Sequence, residues 1–269
     1  MFCASKLKTR LTFCLLPSPE NIKVMTNPSV RLVMFDMAGT TVRDNDEVLL
    51  CFSEACRKEG IDAGRSRLNA LMGVSKLEVF KILWQEQLGP GAAAEMVALK
   101  AQGSFQRFRD ILENYYRSNA VMPTEAALDV FHWLRERDIK IALNTGFYRT
   151  VTDIILDKLG WLAGLNAEYI GGADAVINFS IASDEVPQGR PAPFMIQKAM
   201  YVFGIDDPQQ VVKVGDTPVD LAEGRNAGCR LSLAVTNGTH SPAELEGLDH
   251  DGLLSSLREL PDLLERLSA

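Results

Sequence analysis

Three short segments constrain this chain more than any other feature: "RLVMFDMAG" (31–39), "IKIALNTG" (139–146) and "QVVKVGD" (210–216). In the first two, an apolar run stops at a polar residue with glycine close behind. In the third, the glycine immediately precedes the aspartate. Continuous Val, Ile and Leu runs suit strands covered on both faces, as in a parallel sheet. Open α/β sheets collect ligands at the carboxyl ends of their strands. Asp36, Thr145 and Asp216 are therefore expected on one rim, distant in sequence and close in space.

From about residue 124 the intervening segments carry helical periodicity: "TEAALDVFHWLRERD", "YRTVTDIILDKLG", "APFMIQKAMYVFG" and "DLAEGRNAG". Gly160, Gly204 and Gly228 stand where helix C-caps belong. Residues 46–119, between the first two strands, read as helical throughout. A crossover needs only a dozen or so residues, so this stretch implies an inserted domain. The expected fold is α/β: a Rossmann-like, doubly wound parallel-sheet core (30–45 and 120–269) with an inserted all-helical domain (46–119). Its hinges fall near 43–46 and 118–123, and residues 1–29 form a poorly ordered extension. The C-terminal "SPAELEGLDHDGLLSSLRELPDLLERLSA" reads as a loop and a closing amphipathic helix.

A formal net charge of -7 over 269 residues leaves no basic surface for nucleic acid or anionic membrane. No apolar run reaches the roughly 20 residues that span a bilayer. The five cysteines are odd in number and lack metal-ligand spacing, which suits reduced thiols of a cytoplasmic protein. The first 24 residues carry Lys6, Lys8 and Arg10 before "LTFCLL", a core too short for a good secretory signal; they read as an extension before Met25, with a weak targeting segment as the alternative.

An aspartate at a strand end, followed by Ala-Gly and two threonines, suits attack on phosphorus with formation of an acyl phosphate. The alternative is a turn aspartate that satisfies backbone amides. Thr145 offers a hydroxyl and, with Gly146, backbone amides for phosphate oxygens. Asp216 offers a second carboxylate for a hard cation such as Mg2+, and Asp220 supports it from one helical turn away. Arg190, in "QGRPAPF", is either a surface charge or a bidentate phosphate clamp.

Taken in order, "DMAGTT", "NTG", "GRPAP" and "VGDTPVDLAEGRNAG" resemble the haloacid dehalogenase superfamily, with a cap inserted after the first motif. Ala38 in place of a second aspartate, and Arg190 in place of the usual lysine, resemble its phosphonatase branch, the phosphonoacetaldehyde hydrolases and close relatives. In superfamily phosphatases that second aspartate protonates the leaving alcohol, a general-acid role worth ~10² to 10⁴ in rate. A carbon leaving group held as an enamine needs no such acid. The resemblance implies that Lys76, in "LMGVSKLEVF", forms a Schiff base with the substrate aldehyde, with Met72 and Gly73 as the family's preceding pair. The residues themselves agree: Ser75-Lys76-Leu77-Glu78 reads as a capping box, which puts Lys76 at the first helical position. There the helix dipole favours the free amine. Taken alone, Lys76 is one lysine among many exposed ones.

The chain departs from this branch in three places. Val79 replaces a histidine thought to shuttle the lysine's proton, Phe147 a tyrosine, and Asp46 a cysteine. His132, His240 and His250 belong to no triad, and Phe105, Phe108, Tyr115 and Tyr116 read as helix core.

The resemblance thus implies a Mg2+-dependent hydrolase in which Asp36 and Lys76 act on a small phosphonate or phosphate. Gly39, Thr40, Met72, Thr145, Gly146 and Arg190 bind the substrate, and Asp36, the Ala38 carbonyl and Asp216 hold the metal. A homodimer through the cap is the expected assembly. The alternatives are a phosphatase of a reactive phosphate ester and a weakly catalytic binder of phosphorylated ligands.

Overall fold

The computed structural model describes residues 29–268. The expected extension at 1–29 falls outside these residues except for its last position. Six parallel strands form one sheet in the order β3-β2-β1-β4-β5-β6: β1 (Leu32–Asp36), β2 (Lys140–Thr145), β3 (Phe179–Ala182), β4 (Val211–Gly215), β5 (Leu231–Val235) and β6 (Gly252–Leu254). The central strand β1 pairs with both β2 and β4, setting Asp36 opposite Asn144 and Phe35 opposite Val214.

Both faces of the sheet are covered. Val33, Phe35, Ile141 and Leu143 pack with residues of α5 (Ala127–Glu136), α6 (Arg149–Lys158) and α10 (Leu260–Ser268). Leu32, Met34 and Ala142, which point the other way by the period-two alternation of a strand, pack with Met195, Ile196 and Ala199 of α7 (Phe194–Val202). Leu221 of α8 (Pro218–Ala227) and Leu245 of α9 (Pro242–Leu245) close over Ala234. Double coverage is the reason the strand sequences are apolar without alternation.

Between β1 and α5 lie four helices: α1 (Glu47–Glu59), α2 (Arg65–Asn69), α3 (Lys76–Leu88) and α4 (Ala94–Ser118). Phe52, Phe80 and Phe108, all fully buried, join α1, α3 and α4 through edge-on ring contacts at 5.2, 5.9 and 6.3 Å. Such pairs add about 0.5–1.5 kcal/mol each beyond the area they bury. The two chain crossings into this layer are tied together: Arg43 N–H donates to Met122 O (2.9 Å) and Thr124 N–H to Thr41 O (2.9 Å).

The C-terminal region differs from expectation. Between α9 and α10 it contributes the three-residue edge strand β6, whose short, half-buried "GLL" is held by pairing with β5 and carries no periodic signal of its own. No helix among the described residues is long and apolar enough to cross a membrane.

Candidate active site

The turn after β1 is wound tightly around Met37 O, which accepts from the amides of Thr40, Thr41 and Val42 at 3.1, 2.9 and 2.8 Å. The Thr41 hydroxyl donates to Asp36 O at 2.8 Å, fixing the strand end. Gly39 takes φ +86°, and a Cβ there would run into Asp216 Oδ2. Glycine is therefore required both by the backbone and by the close approach of the two strand ends.

One pocket gathers residues from six separate stretches. Asp36, Ala38, Asp44 and Val48 come from the β1 end and the start of α1, and Met72, Gly73, Val74 and Lys76 from the entry to α3. Thr145, Gly146 and Phe147 follow β2, with Arg190 from the loop before α7 and Thr217 and Thr239 from the loops after β4 and β5. Of the residues singled out by sequence, Gly39, Thr40, Asp216 and Asp220 are not part of this lining. Gly39 abuts Asp216, and the Thr40 hydroxyl faces Asp216 Oδ1 at 3.3 Å.

Arg190 is buried and bridges two carboxylates, with Nη1 2.7 Å from Asp36 Oδ1 and in contact with Asp220 Oδ1. Asp220 also closes a capping box with Thr217 at the start of α8. The sequence reading missed what stands behind this pair. Lys213, wholly buried on β4, lies 2.9 Å from Asp220 and 3.2 Å from Glu223, and donates to Asn144 Oδ1 at 2.6 Å. Asn144 in turn donates to both oxygens of Glu223 at 2.8 Å. A lysine inside the apolar run "VVKVG" was the available signal, since a charge is buried only when paired.

The electrostatics separate the three clustered aspartates. Burial alone would raise the Asp220 carboxyl, but Arg190 and Lys213 outweigh it and hold Asp220 well below the usual carboxylate range. Asp36 is pushed up to about 6 by burial, with Arg190 opposing. Asp216 is pushed up to about 8 by burial and by the charges of Asp36 and Asp220. Oxygens of all three lie within 4.8 Å of one another. Asp220 is already neutralised by two cations, so Asp36 and Asp216 are the pair whose mutual repulsion a hard, oxygen-seeking cation would relieve. That chemistry fits Mg2+.

Lys76 is the first residue of α3 and is buried. Its Nζ donates to Val74 O at 3.4 Å and lies 5.3 Å from the centre of the Phe52 ring. Burial and the Arg190 charge bring its amine down to about 8. The expected capping box does not form: Ser75 is the N-cap without a side-chain hydrogen bond, and Glu78 pairs with Lys81 at 2.7 Å. Position at the helix start survives without it, because Val79 N–H still bonds to Ser75 O at 3.0 Å.

The three departures fall in different places. Val79 is fully buried in the helical layer, and Phe147 lines the pocket and packs against Tyr116. Asp46 faces outward and pairs with Arg65 at 2.6 Å. Phe108 and Tyr116 are core, and His132 is exposed beside Glu136. Gly146 meets the inserted layer directly, since a Cβ on it would lie 2.6 Å from Gly73 O.

Residues 30–228 match the family model of haloacid dehalogenase-like hydrolases. Phosphonoacetaldehyde hydrolase of Latilactobacillus sakei subsp. sakei (strain 23K) is 31% identical over 236 residues, covering 84% of this chain and 81% of the relative. The enzyme of the same name from Bacillus cereus (strain B4264) is 30% identical over 208 residues, covering 74% and 73%. Among solved structures, a phosphonoacetaldehyde hydrolase-like protein from Oleispira antarctica superposes with a TM-score of 0.70 at 18% identity, covering 95% of this chain and 98% of its own. A hydrolase from Pseudomonas syringae gives 0.69 at 18%, covering 89% and 100%. At these identities the structures speak for the fold, whereas the family model and the relatives speak for kinship. The chain belongs to the haloacid dehalogenase-like hydrolases, alongside relatives of the phosphonoacetaldehyde hydrolase branch.

Proposed function

We propose that the protein hydrolyses the carbon–phosphorus bond of phosphonoacetaldehyde or a related 2-oxoalkylphosphonate. The observation that carries this reading is the presence of a buried lysine amine and a strand-end carboxylate on the walls of one pocket, with Ala38 where an ester-cleaving enzyme would need an acid. Residues 46–119 act as a cap over a core of 30–45 and 120–269.

Lys76, as the free amine, condenses with the carbonyl group to give an iminium. Asp36 attacks phosphorus, and the carbon departs with its electron pair delocalised into the iminium as an enamine. Arg190, Thr145 and Gly146 hold the phosphoryl oxygens, while Met72 and Phe147 pack the organic part. Asp36, the Ala38 carbonyl and Asp216 would hold Mg2+, which supplies positive charge against the phosphoryl oxygens. Asp220 keeps Arg190 in place. The cap excludes water while the phosphoaspartate forms, and water then hydrolyses both covalent links.

The test is borohydride trapping with phosphonoacetaldehyde. An adduct on Lys76, together with Mg2+-dependent phosphate release in unreduced samples, is expected. Absence of the adduct, with turnover of simple phosphate esters, would replace this reading by a phosphatase. Val79 is the specific observation favouring that alternative, since the aldehyde end lacks the branch's histidine.

A further inference from the structure

An imine enzyme needs a group that gives and takes protons at the lysine, because the carbinolamine loses its oxygen only as water. The charges felt by the Lys76 amine belong to Arg190, Asp44, Asp36 and Cys56. Arg190 does not titrate in any working range. Burial pushes the Cys56 thiol up to about 12. Asp36 is committed to phosphorus and paired with Arg190. That leaves Asp44, which the sequence reading passed over.

Asp44 occupies a distinctive place. It lines the Asp36–Lys76 pocket, and with Met72 and Thr239 it also lines a second cavity whose remaining walls are Asn45, Asp46, Leu49 and Gly238. The residues common to both cavities form the partition between them. Asp44 Oδ1 accepts from Val48 N–H at 3.3 Å, which fixes the carboxyl at the entry to α1. Its other partner is Glu47, through both the backbone N–H and the carboxylate. Two carboxyls can hydrogen-bond only with a proton between them. Glu47, which also accepts from the Asn45 side chain at 3.1 Å, is the ionised member. Burial and this contact push Asp44 up to about 7.

We propose that Asp44 is the proton-exchange residue of the Lys76 site, working between the inner pocket and the outer cavity; this rests on the imine reading above. After the Lys76 amine has added to the carbonyl and its proton has passed to the new alkoxide, the Asp44 carboxylic acid protonates the carbinolamine hydroxyl. The carbon–oxygen bond breaks, water leaves, and the nitrogen lone pair forms the iminium bond. Asp44 is left as the carboxylate. In the closing hydrolysis, water adds to the iminium and returns a proton to Asp44. The other groups facing Asp44 are Glu47 and Cys51 from α1, Lys76 from α3, and Tyr115 and Tyr116 from α4. The thiol and the phenols are pushed up and stay neutral in the working range.

The test measures the rate of borohydride-trapped Lys76 adduct from phosphonoacetaldehyde between about pH 5.5 and 9, for wild type, Asp44→Asn and Asp44→Glu. The wild-type rate should pass through a maximum between about pH 7 and 8 and fall above about pH 8, where the supply of free Lys76 amine stops growing and Asp44 continues to lose its proton. Asp44→Asn should slow trapping by on the order of 10²-fold and abolish that falling limb, while Asp44→Glu should keep it. The direction is diagnostic. Above about pH 7 the Asp44 charge holds the Lys76 amine up, so there its removal alone frees more amine and speeds trapping. Unchanged rate and profile in Asp44→Asn, with the adduct intact in wild type, would overturn the proposal and leave the imine reading standing. No adduct in wild type would remove both. If Asp44→Asn fails to fold by circular dichroism, the position of the limb in Asp44→Glu decides: a displaced limb supports Asp44 and an undisplaced one excludes it.

Discussion

Arg190 holds the Asp36 carboxylate at 2.7 Å while the same guanidinium nitrogen contacts Asp220, so the end of β1 and the start of α8 are joined through one buried cation. A lysine can supply the charge but not the planar fork. Arg190→Lys should therefore lower kcat for phosphate release by about 10² to 10³, the cost of losing one well-placed electrostatic donor. Steady-state phosphate assays with phosphonoacetaldehyde check this; turnover within a factor of two of wild type would show that Arg190 only anchors Asp220.

Asp36→Asn separates the two covalent steps. Phosphate release should vanish, whereas borohydride should still trap the Lys76 adduct, because imine formation does not use the Asp36 carboxylate. Mass spectrometry of the reduced protein reads both outcomes in one sample.

Lys213 is the internal counter-charge of two buried acids, Asp220 and Glu223. Lys213→Met leaves Glu223 without a cation partner and Asp220 with Arg190 alone. Breaking a buried ion pair from one side costs about 3–5 kcal/mol. The urea midpoint of unfolding should fall accordingly, and a drop below about 1 kcal/mol would mean that the acids simply take up protons.

The Lys76 amine stands at about 8, against an ordinary value of 10.5. A lysine whose folded pKa is depressed makes its favourable contribution above the unfolded pKa and loses it as pH falls through the folded one. Below about pH 8 the buried ammonium is therefore a standing penalty. Lys76→Met should raise the melting temperature at pH 7, by up to about 3 kcal/mol in stability terms. The gain should shrink between pH 8 and 10.5. Melting curves across that range test both the size and the sign.

Gly39→Ala places a methyl group against Asp216 Oδ2 at a backbone position with φ +86°. Mg2+ should raise the melting temperature of wild type, since a ligand that binds only the folded state stabilises it. That increment should be lost in Gly39→Ala. A full increment in the variant would place the metal away from Asp216.

Much of the site was legible in the chain because strand ends announce themselves locally. Asp36, Thr145 and Asp216 follow apolar runs that only a doubly covered sheet accommodates, and Gly39 marks the one turn that brings two of them together. The start of α3 at Lys76 was equally local, although its expected capping box is absent. β3 and β6 were not legible: four and three residues are too few for a period, and both are specified by the neighbours they pair with.

The sequence by itself determined the order of the motifs, the parallel sheet and which carboxylates and lysine are candidates, because these depend on hydrophobic patterning over neighbouring residues. Tertiary structure alone decided the partners. Arg190 grips Asp36 and Asp220 across 154 and 30 residues of chain, Lys213 is sealed between Asn144, Asp220 and Glu223, and Asp44 stands between two cavities. Burial and charge act through space, with strengths set by distance and desolvation, and neither quantity is written along the chain.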